Sequence, residues 1–325
     1  MIGTWNTRTL WQTGKLEELT HEMSRYHWNL LGLCETRWTD IGETTTLEGH
    51  KIYYSGKQDK HEEGVGFLVH NNIVNSILGC RPVSSRLISI RLKASPFNIT
   101  VIQAYAPTTD YSDEEIEDFY QQLQEVVDQT PKKDIIVVQG DWNAKIGKDA
   151  YPNWKGTCGS SCNQSTNDRG LRLLEFAAVN SLTVANTLGK HKISRKMTCY
   201  SPDNKYHNQI DYIMVPKRFR AGVNIAHTRT FPGADIGSDH DLVMMTFRVR
   251  LKTINKPKFT RLWFNLDKLK DPAVKEESPA MIGGKFAPLT VLGEKSINLK
   301  ETVETFNTAI IETAKEILGK QKNHG

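Results

Sequence analysis

The chain has 325 residues, 38% of them hydrophobic and 24% charged, with a formal net charge of +5. That length and apolar content fit one large domain with an appendage, or two domains, and exclude a chain disordered from end to end. No run of ~18 apolar residues exists, so no membrane span is expected.

The charge is uneven: beyond Leu251 stand 13 Lys/Arg against 9 Asp/Glu, a net of +4, which leaves about +1 for the rest. A weak basic bias fits a polyanionic partner without requiring one. The five cysteines (Cys34, Cys80, Cys158, Cys162 and Cys199) are scattered and odd in number, which argues for reduced thiols in an intracellular protein. Cys158 and Cys162 lie four apart, but a structural zinc site needs two more ligands at matching spacing, and none stands out.

The start, Met1–Asn6, lacks a charged n-region and a long apolar core; it reads as a first strand, not a signal peptide. Lys15–Tyr26 sets Leu16, Leu19, Met23 and Tyr26 at helical spacing. Strands are predicted at Leu30–Cys34, Lys51–Tyr54, Val65–His70, Leu87–Leu92 and Ile99–Tyr105. Asp113–Val127 reads as a helix behind a Ser112 cap, with Glu115 as the capping-box partner. A strand at Ile135–Gln139, a helix at Arg169–Val179, and strands at Thr183–Asn186, Gln209–Val215 and Leu242–Val249 follow. Lys252–Lys258 is basic and linker-like, and a patchy stretch with Gly283-Gly284 comes after it. Leu299–Leu318 is an amphipathic helix with Val303, Phe306, Ile310, Ile311, Ala314 and Ile317 on its apolar side. A domain over 1–250 and a connector with a helix over 251–325 are expected, and strands interleaved with helices give an α/β class with mixed sheets and helices outside.

Acidic and amide residues recur where strands end, the place where α/β active sites gather. Glu35 follows Leu30–Cys34, Asp141 and Asn143 follow Ile135–Gln139, and Ser238-Asp239-His240 precedes the last strand. A strand-end Glu is often only solvated, and Gly-Asp-x-Asn is also ordinary turn chemistry. Asp211 is harder to dismiss, because burial in an Ile/Tyr strand costs several kcal/mol unless the carboxylate is paired, and His240 is a candidate partner. As a set they suit phosphodiester hydrolysis. Glu35 would hold Mg²⁺, Asp141 with Asn143 would aim or activate water, and His240, oriented by Asp211, would stabilise charge on the phosphate. Asn6 and Tyr105 would add hydrogen-bond donors.

The ordered series Trp5-Asn6, Cys34-Glu35-Thr36-Arg37, Gln103 to Thr108, Gly140-Asp141-Trp142-Asn143, Gln209 to Ile213 and Ser238-Asp239-His240 resembles the endonuclease/exonuclease/phosphatase superfamily. Trp5 to Leu10, Glu35-Thr36-Arg37-Trp38, Leu262 to Asn265 and Gly283 to Pro288 are similar to the endonucleases of RTE/BovB-type non-LTR retrotransposons. The resemblance implies a four-layer α/β sandwich of two facing mixed sheets. It puts Glu35 and Asn6 in the metal shell with Asp239 nearby, Tyr105 on the phosphate, Asp141 and Asn143 on the water, and His240, oriented by Asp211, on the scissile phosphate. Ser238, Trp142 and Thr198 are expected to line the substrate. Many members carry Thr-Trp where this chain has Thr198-Cys199-Tyr200. The implied activity is Mg²⁺-dependent nicking of DNA, with Mn²⁺ as a substitute, and substrate logic points to the nucleus. No Tyr-x-Asp-Asp motif is present, so polymerisation is not expected. The same set would also suit abasic DNA, RNA or phosphoinositide, and a retired binding protein is a further alternative. No obligate protein partner is evident, although the C-terminal helix would pack on something.

Overall fold

The structure, a computed structural model, describes residues 1–162, 165–201, 203, 205–249, 264–276, 279 and 299–319. It divides into two compact units, Met1–Leu251 and Lys252–Gly325. The first holds β1 (Ile2–Asn6), α1 (Lys15–Met23), β2 (Leu30–Cys34), β3 (Ile41–Thr45), β4 (Lys51–Ser55), β5 (Val65–Val69), β6 (Ile77–Ser84), β7 (Leu87–Leu92), β8 (Ile99–Tyr105) and α2 (Asp113–Gln129). It continues with β9 (Ile135–Asp141), α3 (Asp168–Val179), β10 (Leu182–Val184), β11 (Cys199–Tyr200), β12 (His207–Asn208), β13 (Asp211–Pro216), β14 (Val223–Phe231) and β15 (Leu242–Phe247).

Two sheets face each other. One runs β14-β15-β1-β2-β5-β4-β3 and the other β10-β13-β9-β8-β7-β6. Both are mixed: β1 and β2 are parallel, as are β8 and β9, while their other neighbours are antiparallel. Three apolar cores separate four layers. Leu19 and Met23 of α1 pack with Trp5, Leu31, Leu33 and Met244 on the outside of the first sheet. Ile2, Leu30, Val101, Val137, Ile213 and Val243 fill the space between the sheets. Ile116, Phe119 and Leu123 of α2 and Leu173 and Phe176 of α3 cover the outside of the second with Ile102, Val138 and Met214. This is the expected α/β sandwich. The capping box forms as expected, with Ser112 Oγ accepting from Glu115 N and Glu115 reaching back to Ser112 N at 2.9 Å.

Strands β3, β6 and β14 escape the sequence reading because each is an edge strand with few or no buried residues. Without a buried face, the alternation that marks a strand is lost. All five cysteines are free. Burial pushes the Cys158 thiol up to about 11 and the Cys162 thiol up to about 12. No helix among the described residues is long and apolar enough to cross a membrane.

The second unit contributes α4 (Leu299–Ile317). Ala314 and Ile317 are half-buried, but Ile310 and Ile311 are exposed, which corrects the expectation that both pack. Thr313 and Leu318 are buried beside them. The side chains of Val303 and Phe306, the basic run Lys252–Lys258 and Gly283-Gly284 lie outside the described residues.

Side-chain alternation decides where chemistry can sit. Thr4 and Asn6 follow Ile2 at two-residue steps, and Gln139 and Asp141 follow Val137, so all point between the sheets. Gln103 and Gln139 meet there over Gly32: Gln103 Nε2 donates to Thr4 Oγ1 at 2.8 Å, and Gln139 Nε2 donates to Gly3 O at 2.6 Å. Gly140, at φ +147, brings β9 against β8, and a Cβ there would overlap the Ala104 carbonyl. Gly140→Ala is expected to lower stability by about 2–4 kcal/mol, through strain and steric overlap. The readout is the urea midpoint, and an unchanged midpoint would contradict the close approach.

Candidate active site

The strand register brings the acidic groups together. Tyr105 and Asp211 both pair with Asp141 on adjacent strands, and Asn6 pairs with Cys34, one residue before Glu35. These positions share one end of the space between the sheets. Two carboxylates directly opposite each other repel, and the site is built around that conflict.

His240 resolves part of it. Its Nδ1 lies 2.9 Å from Asp211 Oδ2 and its Nε2 lies 3.9 Å from Asp141 Oδ2. All three side chains are buried. Burial alone would pull the imidazole down, but the charges of Asp211 and Asp141 outweigh it and hold His240 well above its ordinary value. Burial and the Asp211 charge push the Asp141 carboxyl up to about 7, against the opposing pull of His240, Asn6 and the Asn143 backbone. The imidazolium is held from several sides. Trp5 Nε1 donates to His240 O at 2.8 Å, and His240 N donates to Ser238 Oγ at 3.1 Å, which in turn donates to Asn6 O at 2.7 Å.

Asn6 joins the two sheets. Its Nδ2 donates to Glu35 Oε1 and to Asp141 Oδ2, each at 2.9 Å, so a carboxylate from either sheet flanks one amide. Tyr105 OH donates to Glu35 Oε1 at 3.1 Å, and Arg37 NH2 lies 3.0 Å from Glu35 Oε2. Burial, then the Glu35 and Asp141 charges, raise the Tyr105 phenol far above its ordinary range, leaving it a neutral donor. Asn143 supports Asp141 through its backbone N–H, 3.1 Å from Oδ1, while its side-chain amide donates to Ala106 O. Glu35 (φ 53) and Asn143 (φ 47) both adopt left-handed backbone, at about 1–2 kcal/mol each. Strain of that kind collects at functional sites.

Asp141, Asp211 and His240 form a group whose ligand atoms all lie within 4.8 Å of one another. To serve as a ligand the imidazole would have to release a proton and offer a ring-nitrogen lone pair. Glu35 beside Asn6 and Asp141 offers an oxygen set, the kind a hard divalent cation takes. Asp239 is half-buried next to His240 and is not part of that three-residue group.

Two expected substrate contacts are corrected. Trp142 is 1% exposed, packs with Phe119 and Phe176, and donates Nε1 to Tyr212 O at 3.2 Å. One residue past Asp141, it points to the opposite face of the sheet, into the helix-covered core. Thr198 is fully buried, and its Oγ1 accepts from Asp211 N at 3.2 Å and Ile210 N at 3.0 Å. It braces the acid that holds His240. Ser238 likewise braces His240 and Asn6. Cys199 lies opposite His240 in a bridge, and Tyr200 OH donates to Asp241 Oδ2 at 2.7 Å.

Arg86 carries no signal in the sequence. Its guanidinium lies over the Tyr105 ring at 5.1 Å and the Tyr111 ring at 4.8 Å, and pairs with Glu63 at 2.7 Å. It sits in a turn between two strands with no motif around it, so only the register of β7 and β8 reveals it.

Residues 3–240 match the Endonuclease/Exonuclease/phosphatase family, and the chain belongs to that family. It is 43% identical over 260 residues to craniofacial development protein 2 of Bos taurus, covering 80% of this chain and 42% of that one. The Tragulus javanicus protein of the same name is 40% identical over 287 residues, covering 88% and 48%. The chain thus spans less than half the length of these relatives. Its fold is similar to the endonuclease domain of TRAS1, a telomere-specific non-LTR retrotransposon (TM-score 0.53, 15% identity, 77% of this chain and 98% of that one). It is also similar to the AP endonuclease LMAP from Leishmania major (TM-score 0.58, 15% identity, 77% and 87%).

Because Asp141 binds its proton more tightly folded than unfolded, its contribution is complete below 3.8 and is lost as pH rises through about 7. Asp141→Asn removes that loss. In metal-free buffer, the variant's melting temperature is expected to rise relative to the unmodified chain between about pH 4 and pH 8. A gap that stays flat or shrinks would contradict the buried, raised carboxyl.

Proposed function

We propose that this chain hydrolyses phosphodiester bonds and nicks one strand of DNA, with Mg²⁺ as its cation and Mn²⁺ as a substitute. The observation that carries the reading is the convergence of Asp141, Asp211 and His240 beside Glu35 and Asn6, on a fold shared with DNA-processing enzymes. Glu35 is the principal cation ligand, with Asn6 fixing its carboxylate and Asp239 standing near. A bound divalent cation would neutralise charge on the phosphate oxygens and the leaving group.

The residues divide the remaining work by protonation state. Asp141 can take a proton from water near neutral pH because its carboxyl is raised to about 7. Asn143 fixes Asp141 through its backbone. His240, charged and aimed by Asp211, donates from Nε2 to a non-bridging oxygen of the phosphate. Tyr105, kept neutral, adds an O–H donor on the Glu35 side. Dense packing and side-chain bonds from Trp5, Thr198 and Ser238 keep this geometry in place before substrate arrives, which lowers the reorganisation needed in the transition state.

The flanking resemblance to retrotransposon endonucleases favours DNA over other phosphoesters, with a 3′-hydroxyl left at the nick and the nucleus as the place of action. Met1–Leu251 would be the catalytic domain and Lys252–Gly325 a connector. The intact set of Glu35, Asp141, Asn143, Asp211 and His240 speaks against a retired binding protein.

Conversion of supercoiled plasmid to open circles is expected to require Mg²⁺. Glu35→Ala, Asp141→Ala and His240→Ala should each slow it by about 10²-fold or more. Folded variants that nick at the rate of the unmodified chain would refute the assignment.

A further inference from the structure

Between Glu175 and Asp235 the chain carries nine Lys/Arg and two acids. One acid, Asp211, lies buried against His240, and the other, Asp203, pairs with Lys205. The remaining eight cations are Lys190, Lys192, Arg195, Lys196, Lys217, Arg218, Arg220 and Arg229. Among the described residues none of them pairs with a carboxylate, whereas Arg37, Arg86, Arg91, Arg169 and Arg172 elsewhere all do.

These cations share one region. The strap around the turn Ile193–Arg195 lies on β14, with His191 Nε2 3.0 Å from Ile225 O and Thr230 Oγ1 3.4 Å from Ser194 O. The turn Lys217–Gly222 leads directly into β14, the edge strand of the seven-stranded sheet. Burial and then the neighbouring Arg195 charge lower Arg229, a sign of like charges crowded together. Arg229 rests on the Phe231 ring at 4.2 Å instead of on an acid. The strap ends at Thr198, whose hydroxyl braces Asp211, so the charged run starts where the site ends. β14 spans about 26 Å at ~3.3 Å per residue.

Unpaired like charges held together are costly unless a counter-charge arrives. Lysines also guard sheet edges, but that accounts for charges on β14 and not for a separate strap laid over it. We infer that Lys190, Lys192, Arg195 and Arg229, extended by Lys217, Arg218 and Arg220, form a track for the phosphate backbone of duplex DNA that runs along β14 from the His240 end of the site to the opposite end of the sheet. The inference rests on the nuclease reading and names the surface that holds the substrate. Lys190, Lys192 and Arg195 are exposed, so their side chains reach solvent and phosphate. Lys196 is turned inward, donating to Ser161 O, and takes no part.

The test is binding of a fluorescent duplex in EDTA, by anisotropy, between about 50 and 200 mM NaCl. Each phosphate contact adds about 0.9 to the slope of log affinity against log salt. The full chain carrying Lys190→Ala, Lys192→Ala and Arg195→Ala is expected to lose roughly 2 to 3 from that slope. Arg218→Ala with Arg220→Ala should lose up to about 2, and this second variant keeps the test open if the first fails to fold. Lys132→Ala with Lys133→Ala, on an exposed turn elsewhere, should leave the slope unchanged. Equal slopes in folded track variants and the unmodified chain would overturn the track, and if the chain still nicks plasmid, the nuclease reading survives. A lowered slope in a chain that never nicks would keep the track and sink that reading. Tighter binding to phosphatidylserine vesicles than to the duplex would overturn DNA as the occupant.

Discussion

Two carboxylates face each other across adjacent strands, Asp141 on β9 and Asp211 on β13, both buried. That placement is unfavourable by itself, since like charges opposite each other in a sheet repel and burial denies them water. It persists because the surroundings neutralise it. His240 stands between the pair as an imidazolium, Asn6 donates to Asp141 from the other sheet, and the Asn143 backbone caps its second oxygen. Trp5, Thr198 and Ser238 then have a common purpose, because each fixes a member of that arrangement. A fold that had only to be stable would put apolar residues at these positions.

The sandwich makes the arrangement possible. Neither sheet alone carries the site: Glu35 and Asn6 come from one, Tyr105, Asp141 and Asp211 from the other, and His240 from the segment that leads into β15. The Gln103 and Gln139 pair, wedged over Gly32, sets the two sheets in fixed relation just below the acids. Gly140 lets β9 approach β8 closely enough for Tyr105 and Asp141 to share a register. A shift of one residue in β9 would turn Asp141 into the helix-covered core and Trp142 into the cleft.

Much of this was legible in the sequence. Strands with a buried face announce themselves by alternation, and Leu30–Cys34, Leu87–Leu92 and Ile99–Tyr105 have the expected bounds. The acids stood out because a polar residue at the end of an apolar run needs a reason. What the sequence hid depends on tertiary register or on exposure. Trp142 adjoins Asp141 in sequence yet points into the helix-covered core, and Thr198 is buried with its hydroxyl on the Asp211 backbone. Arg86 belongs to no pattern and acts on Tyr105 across strands. The edge strand β14 has an exposed middle, so its period is lost, and the cations around it scatter over about 40 positions until the fold gathers them.

The charge on His240 holds the two buried acids together. Nuclear magnetic resonance of imidazole-labelled protein in metal-free buffer follows it directly. His240 is expected to remain protonated through neutral pH, titrating well above the ordinary 6.5, and Asp211→Asn is expected to bring that titration down. A His240 that loses its proton at or below 6.5 would leave the two acids uncompensated and the site without its cationic donor, and would contradict the account.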